Sequence, residues 1–534
     1  MASDFRGTTR TAAENALAIL RDTEPELHLR SVTLTAKDKI CLCETRECTP
    51  EACPYANGYY ARIKGALWDV LDVPCLTAET LQEYAKRHTV CPFELGLDSS
   101  LWSDVIIGDY NYLFDPVVHL VRFFESAGDY IFLVDEAHNL PGRAREMHSA
   151  ALTKTSFYEA KKLLGKGKSS LKNALTKVND VFIEWRHRAE EETAARDGRF
   201  GKTFFLKERS EEFDHLLNRL CEPLEAWLDA HREPDETHTA LLQLYFDVRA
   251  WLRVADTFDD HFVLQITASG SEVRAAQLCL DPSAFLADSF ALGRAAVLFS
   301  ATLAPASYYK DLCGVPEARA VALRSPFPAG NQGLFCIGNV STRYKDRDAS
   351  LAIVEESLAT MVRARCGNYL AFFPSYAYME QAYAQFKEHC PEINCIKQEN
   401  AMDEQQKAAF LAQFVPGPSQ TLLGFAVMGG VFGEGVDLTG DRLIGVGIVG
   451  PGLPQVGPRQ EQLRDYFEQT RGSGFDYAYR YPGMNKVLQA AGRVIRTPRD
   501  KGVVLLIDNR FAMPDYRRLM PQVGGQAVLG RQVS

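Results

Sequence analysis

Asp135-Glu136-Ala137-His138 directly follows the apolar run Tyr130-Ile131-Phe132-Leu133-Val134. The sequence therefore predicts two carboxylates at the carboxyl end of a buried parallel strand, where α/β sheets place ligand chemistry. One carboxylate there can hold a magnesium ion, directly or through water, and the other can polarise a water for attack on a nucleotide. An acidic pair after a strand also serves as a solvated turn or a helix N-cap. Three downstream segments favour the nucleotide reading. A second apolar run, Ala295-Ala296-Val297-Leu298-Phe299, ends in Ser300-Ala301-Thr302-Leu303, whose small hydroxyls suit a link between a nucleotide site and a neighbouring domain. Gly433-Glu434-Gly435-Val436-Asp437 forms a glycine-rich turn between apolar runs, and Gln489-Ala490-Ala491-Gly492-Arg493-Val494-Ile495-Arg496 follows. Arg493 and Arg496, three apart, are expected on one helix face, where both guanidiniums can reach one polyphosphate.

A second group of side chains could bind metal. Cys41, Cys48, Cys53 and Cys91 offer four thiolates, which can hold either an iron-sulfur cluster or a zinc ion. Cys43, two residues beyond Cys41, is an alternative first ligand. A disulfide framework fits poorly with 13 cysteines, an odd number, and with no secretory signal in Met1 to Leu20. Cys75, Cys221, Cys279, Cys313, Cys336, Cys366, Cys390 and Cys395 lie among apolar residues and read as buried thiols.

Taken in order, these segments resemble motifs II, III, V and VI of superfamily 2 helicases, and the cysteines narrow the resemblance to the iron-sulfur XPD/DinG-type DNA helicases. The likeness runs through nearly the whole chain, including Lys37-Asp38-Lys39-Ile40-Cys41, Cys91-Pro92-Phe93-Glu94 and Asp109-Tyr110-Asn111-Tyr112-Leu113-Phe114-Asp115-Pro116. It implies an α/β fold of two RecA-like parallel-sheet motor domains, the first incomplete, with an inserted iron-sulfur cluster domain and an inserted helical arch domain. It also implies ATP with Mg²⁺ and a 4Fe-4S cluster as cofactors, the cluster on Cys41, Cys48, Cys53 and Cys91. By the same resemblance Asp135 coordinates magnesium and Glu136 orients the attacking water. Arg493 and Arg496 would stabilise charge on the transferring phosphoryl group, with His138, Gln489, Gly435 and Asp437 at the nucleotide and Ser300 and Thr302 in coupling. The implied partners are single-stranded and forked DNA, and the implied motion is 5′ to 3′.

The matching segments place the boundaries as follows. Residues 1–40 and 92–152 form the first motor domain around a cluster domain at 41–91. Residues 153–256 are the helical arch, 257–320 close the first motor domain through a strand at His261–Ile266, and 321–534 are the second motor domain. Apolar positions such as Phe182, Trp185, Leu216, Leu217, Leu220, Leu224 and Trp227 recur at helical spacing in the arch. Beyond it, strands are expected at 369–373, 393–396, 422–427, 443–449 and 503–507, alternating with helices as in a parallel sheet covered on both faces.

One departure matters. A helicase of this type carries a phosphate loop, G-x-x-x-x-G-K-[ST], whose N–H groups cradle phosphates. The 534 residues contain none. Gly165-Lys166-Gly167-Lys168-Ser169 has Lys162 where the leading glycine belongs, and Gly201-Lys202-Thr203 lacks a preceding apolar strand, so both read as basic loops. The chain opens near Thr8-Thr9-Arg10-Thr11, which resembles motif Ia. A preceding strand and loop are therefore expected upstream, and their loss would leave a non-hydrolysing DNA-binding remnant as the alternative function. A related exonuclease is a weaker alternative, since no acidic nuclease constellation is present.

Composition agrees with a multidomain globular enzyme: 46% of residues are hydrophobic and 10% aromatic. No apolar run is long enough to span a membrane. The formal charge of −10 excludes a uniformly basic surface but leaves room for local DNA-binding grooves. Lys161, Lys162, Lys166, Lys168 and Lys172 form one candidate patch, and Arg343, Lys345 and Arg347 another. A cytoplasmic monomer is expected.

Overall fold

The computed structural model describes residues 6–167, 169–195, 201–233, 235–432, 438–520 and 528–529. It divides into two compact units, Met1–Ser126 and Ala127–Ser534.

In the first unit a three-stranded parallel sheet is ordered Cys75–Leu76, Ser31–Thr33, Val105–Ile107. Helices Tyr59–Val70, Ala78–His88 and Pro92–Ser99 bury Ile63, Ala66, Val70, Leu81, Ala85 and Leu95 against Val32 and Leu34 of the central segment. The helix at Ala78 starts where Thr77 accepts a hydrogen bond from the Thr80 N–H, and that at Pro92 starts on a proline, which needs no amide partner there. The cysteine-bearing segment thus shares one core with the strand that precedes it.

Among the described residues the second unit contains three sheets. Ile131–Val134 pairs in parallel with Ala295–Leu298. Ile131–Val134 is covered on one face, with Phe132 and Val134 buried and Ile131 64% and Leu133 68% exposed, while Ala295, Ala296 and Val297 of its partner strand are exposed. The acidic box therefore follows a half-buried strand rather than one buried on both faces. A seven-stranded parallel sheet is ordered Asn394–Lys397, Leu422–Val427, Asn368–Phe373, Gly445–Val449, Gly502–Ile507, Gln332–Ile337, Val528–Leu529. Its middle strands at 368–373, 422–427 and 445–449 are buried along their whole length, because helices cover both faces, and they read as continuous apolar runs for that reason. The sequence expectations for this domain hold to within two residues at each strand end. The strand Gln332–Ile337 was not expected.

The helical insertion departs further. Its helices Ser170–Ala195, Glu211–Ala230 and Glu236–Asp256 do bury Phe182, Leu217, Leu220 and Leu224, but they pack on an antiparallel sheet ordered Ala150–Thr153, Glu272–Cys279, Phe262–Ser269, Lys202–Leu206. The His261–Ile266 segment therefore does not rejoin the parallel pair at Ile131–Val134. It pairs antiparallel on both sides, and Leu264 and Ile266 enter the core of the insertion with Phe204, Phe213 and Trp251. Lys202 and Thr203 lie in a strand, not a loop, and the Lys202 ammonium donates to Glu190 at 2.8 Å.

Two smaller expectations also change. Cys221, Cys279, Cys313, Cys336 and Cys390 are buried, but Cys366 is exposed and Cys75 and Cys395 are half-buried. Arg347 is not part of a free basic patch: it donates to Ser375 Oγ at 3.0 Å and packs over the rings of Tyr344 and Tyr378. Lys172 is likewise occupied, closing the Gly165–Gly167 turn through both glycine carbonyls. Lys168 lies outside the described residues. Among the described residues no helix is long and apolar enough to cross a membrane.

Candidate active site and cysteine site

Parallel pairing of Val134 with Leu298 makes the acidic box and the Ser300 segment leave neighbouring strands side by side. Two backbone hydrogen bonds continue the register past the strand ends: Phe299 N–H donates to Val134 O at 3.0 Å and Ala137 N–H to Phe299 O at 3.1 Å. Glu136 then turns the chain with φ +47° and ψ 39°, a left-handed conformation that costs a residue with a Cβ about 1 kcal/mol or more. That turn aims its carboxylate back at Ser300 and His138. Asp135 Oδ1 accepts the Glu136 N–H at 2.7 Å, which fixes the first carboxylate as well.

The polar contacts form a directed chain. Ser300 Oγ donates to Glu136 Oε2 at 3.2 Å, and His138 Nδ1 lies 2.7 Å from Ser300 Oγ. On the other side of the ring, His138 Nε2 meets the Gln489 side-chain amide at 2.5 Å. A serine hydroxyl has one proton, so donating it to Glu136 leaves its oxygen to accept from His138 Nδ1–H. His138 Nε2 then carries a lone pair and accepts from Gln489. These partners assign a proton to Nδ1, and that N–H also lies 3.2 Å from Glu136 Oε2, so Ser300 and Glu136 share it. Thr302 is buried, and its N–H also donates to Ser300 Oγ at 3.2 Å, holding the serine in place.

The two carboxyls are pushed apart. Burial raises Asp135 above the ordinary aspartate range, opposed by the Glu136 N–H. Glu136 is lowered, first by its hydrogen bond to His138 and further by Ser300 and the charge of Arg493. A lowered carboxyl favours the ionised form, and its stabilising effect is lost only as pH falls through the depressed value. Glu136 should therefore stay a hydrogen-bond acceptor well below neutral pH. In a His138→Ala variant the largest cause of that lowering is gone, so the Glu136 carboxyl should titrate at higher pH. Carbon-13 carboxyl titration checks this; an unchanged titration would remove His138 from the chain.

The arginines are placed differently from expectation. The helix Tyr481–Ala491 ends before both of them, so they do not share a helix face. Arg493 is buried and close enough to Glu136 to influence its charge, whereas Arg496 is exposed. The Arg496 N–H, with Thr497, closes a turn on the Asp500 carboxylate. Gly435 and Asp437 lie outside the described residues.

The cysteines belong to the first unit. Cys91 precedes the helix Pro92–Ser99, and while burial raises its thiol, the Glu94 and Phe93 N–H groups and the Lys37 charge act in the opposite direction. Lys37 lies near Cys48 and Cys91 and is also 3.6 Å from Glu94. A helix N-terminus and a lysine are the surroundings that favour a thiolate. Cys43 Sγ lies 3.8 Å from Cys53 Sγ, and the Cys43 N–H meets Cys41 Sγ at 3.5 Å. Burial, then Cys53 and Cys41, push the Cys43 thiol up to about 11. No three Cys, His, Asp or Glu side chains gather tightly enough for a metal ion among the described residues. The chemistry of the donor set fits a thiolate-bound cluster, which Cys41, Cys48, Cys53 and Cys91 would hold, with Cys43 beside Cys53 as the competitor to Cys41. Such a group would cross-link loops that bury little core of their own.

Arg62, which the sequence reading passed over, bridges those loops. Its guanidinium donates to Thr89 O at 2.6 and 2.9 Å, to Pro54 O at 3.0 Å and to Asn57 O. It thereby ties the segment after Cys53 to the segment before Cys91. Gly58 permits this: it has φ +64°, and a Cβ there would stand 2.9 Å from the guanidinium. Only the i, i+4 approach of Arg62 to Gly58 hints at this in the sequence. Arg62→Ala should destabilise the cysteine segment by about 2 kcal/mol, the net worth of a few hydrogen bonds to one charged, partly solvated group. Faster amide exchange at 54–58 and 89–91 would register it; unchanged exchange there would show that the loops hold without it.

Two family models match the chain: DEAD_2 over residues 23–157, covering the cysteines and the acidic box, and a helicase C-terminal domain over 358–524, covering Gln489 and both arginines. The chain belongs to the XPD/DinG-type superfamily 2 helicases. Among curated relatives of this XPD/DinG-type chain, the XPD helicase subunit of general transcription and DNA repair factor IIH from Schizosaccharomyces pombe is 24% identical over 84% of the chain and 67% of its own length. The ATP-dependent DNA helicase CHL1 of Coccidioides immitis is 22% identical over 83% of the chain and 59% of its length. Regulator of telomere elongation helicase 1 of Rattus norvegicus is 23% identical over 90% of the chain, which spans 44% of that relative. A solved structure titled XPD helicase superposes with a TM-score of 0.60 at 18% identity, covering 96% of this chain and 89% of that one, and so shares the α/β two-domain helicase fold.

Proposed function

We propose that this XPD/DinG-type chain is an ATP-dependent DNA helicase that moves 5′ to 3′ on single-stranded DNA and opens forked duplexes as a monomer. The observation that carries the reading is the hydrogen-bonded chain Gln489–His138–Ser300–Glu136, which joins three motifs on one carboxylate. In this reading Glu136, held ionised, accepts a hydrogen bond from the water that attacks the terminal phosphorus. Asp135 would hold magnesium, which supplies charge neutralisation on the phosphates. Arg493, buried beside Glu136, places its guanidinium toward the transferring group, with Arg496 beyond it, while Gly435 and Asp437 would line the nucleotide. Gln489 reports the state of the site to Ser300 and Thr302 through His138. A 4Fe-4S cluster on Cys41, Cys48, Cys53 and Cys91 would keep its small domain folded, and a four-thiolate zinc site is the competing occupant.

The sequence holds no G-x-x-x-x-G-K-[ST] loop, so nucleotide retention is the step to measure first. ATP binding and DNA-stimulated hydrolysis by the chain, with magnesium, test the reading directly. Turnover that rises with single-stranded DNA and falls with added salt supports the motor, since phosphate contacts release counterions. DNA binding without ATP binding would instead mark a non-hydrolysing remnant.

A further inference from the structure

Three segments that leave the nucleotide motifs meet again in a buried aromatic cluster. Leu140–Met147, which follows the acidic box, carries Arg145. Ala306–Leu312, which follows Ser300 and Thr302, carries Tyr308 and Asp311. A π-helical turn at Asp476–Arg480 runs directly into Tyr481–Ala491, the helix that bears Gln489. The Tyr308 ring lies edge-on to Tyr477 at 5.1 Å and packs against Tyr481 at 5.1 Å, and the Tyr477 hydroxyl donates to Asp311 Oδ2. Arg145 sits over Phe467 and donates through Nε to Leu280 O at 2.8 Å. Leu280 directly follows the strand Glu272–Cys279 of the antiparallel sheet, and Val263, Ala276 and Leu278 of that sheet enter the same cluster.

The π turn has an identifiable cause. Pro482 has no N–H to give the Ala478 carbonyl four residues back, so the normal helical register cannot run through this point. The Gln460 side chain takes over that carbonyl. Such turns hold one residue more than an α-turn and recur inside helices at functional sites. Burial, then the Asp311 carboxylate, push the Tyr477 hydroxyl upward, so it remains a donor across the physiological range.

We propose that this tyrosine cluster, centred on the Tyr477–Asp311 hydrogen bond, is a transmission joint through which the state of the nucleotide motifs is imposed on the antiparallel sheet of the helical insertion. Tyr477 and Asp311 act as positioning residues: they touch no nucleotide and work through the helix that carries Gln489 and the helix Ala306–Leu312 that follows Ser300 and Thr302. The proposal rests on the reading of Ser300, His138 and Gln489 as one site.

Hydrogen exchange of the full chain tests it without requiring turnover. Ser300→Ala should speed exchange at residues 276–280 at least threefold in the wild-type background. In a Tyr477→Phe background the same substitution should add nothing there, because the joint is already open. Asp311→Asn, which removes the charged acceptor with little change of shape, should behave like Tyr477→Phe and serves in its place if that variant does not fold. An equal Ser300→Ala effect in all backgrounds, or none in any, would overturn the joint. Turnover measured on the same samples is a separate readout: its absence in the unsubstituted chain retires the ATPase reading and leaves the exchange result to decide the joint.

Discussion

Arg493→Ala should lower ATP turnover by about a thousandfold or more, the loss that follows removal of an arginine which neutralises a transferring phosphoryl group. The expectation is stronger for Arg493 than for Arg496. Arg493 is buried and its charge already helps hold Glu136 ionised, whereas Arg496 is exposed beyond the end of the helix. The substitution therefore has two separable effects. Loss of charge at the phosphate lowers the maximum rate at every pH. Loss of one of the influences that depress Glu136 raises that carboxyl, so the acid limb of the pH profile should move to higher pH. Arg493→Lys should not restore the rate, because an ammonium lacks the planar fork that engages two phosphate oxygens together. Steady-state turnover from pH 5 to 8 on folded variants decides the matter. Turnover within tenfold of the unsubstituted chain would take Arg493 out of the site.

Much of this was legible in the sequence because the signals are local. The fully buried strands at 368–373, 422–427 and 445–449 are near-continuous apolar runs, and a run of that kind bounded by polar residues reports a parallel sheet covered on both faces. The positions of Asp135, Glu136 and Ser300 just past strand ends were legible because each follows a short apolar run, although neither of those strands is buried on both faces. What escaped were relations across long separations. Lys202–Leu206 pairs with a strand some sixty residues later, and neither its length nor its composition distinguishes it from a loop in a charged helical region. The contact of Gln489 with His138 spans 351 positions and depends on where two sheets place their helices. The expected shared helix face of Arg493 and Arg496 failed for a different reason. Three-residue spacing predicts a common face only while the helix lasts, and Gly492 follows its last residue. Arg62 escaped because its partners are backbone carbonyls, which carry no residue signature.

Cys91→Ser should abolish metal retention and unfold the cysteine segment while leaving the Ala127–Ser534 unit intact. The first unit has one core, and its share from residues 41–58 is confined to partly buried Leu42, with Tyr59 entering just beyond, so the loops around Cys48 and Cys53 depend on cross-links rather than burial. Arg62 supplies one such link from backbone carbonyls, and a thiolate-bound group would supply the stronger one. Replacing Cys91 removes the thiol placed at a helix N-terminus beside Lys37, so the remaining thiolates would have to close an incomplete coordination shell. Elemental analysis of the purified chain separates iron from zinc, and visible absorbance follows the cluster through the variants. Cys41→Ser and Cys43→Ser then settle the first ligand. The resemblance favours Cys41, while the 3.8 Å approach of Cys43 to Cys53 favours Cys43, and only the true ligand's loss should bleach the cluster. If Cys91→Ser keeps a full complement of metal, the four-thiolate assignment fails. If metal is lost but exchange in residues 41–91 is unchanged, the structural role assigned to the site fails while the ligand set stands.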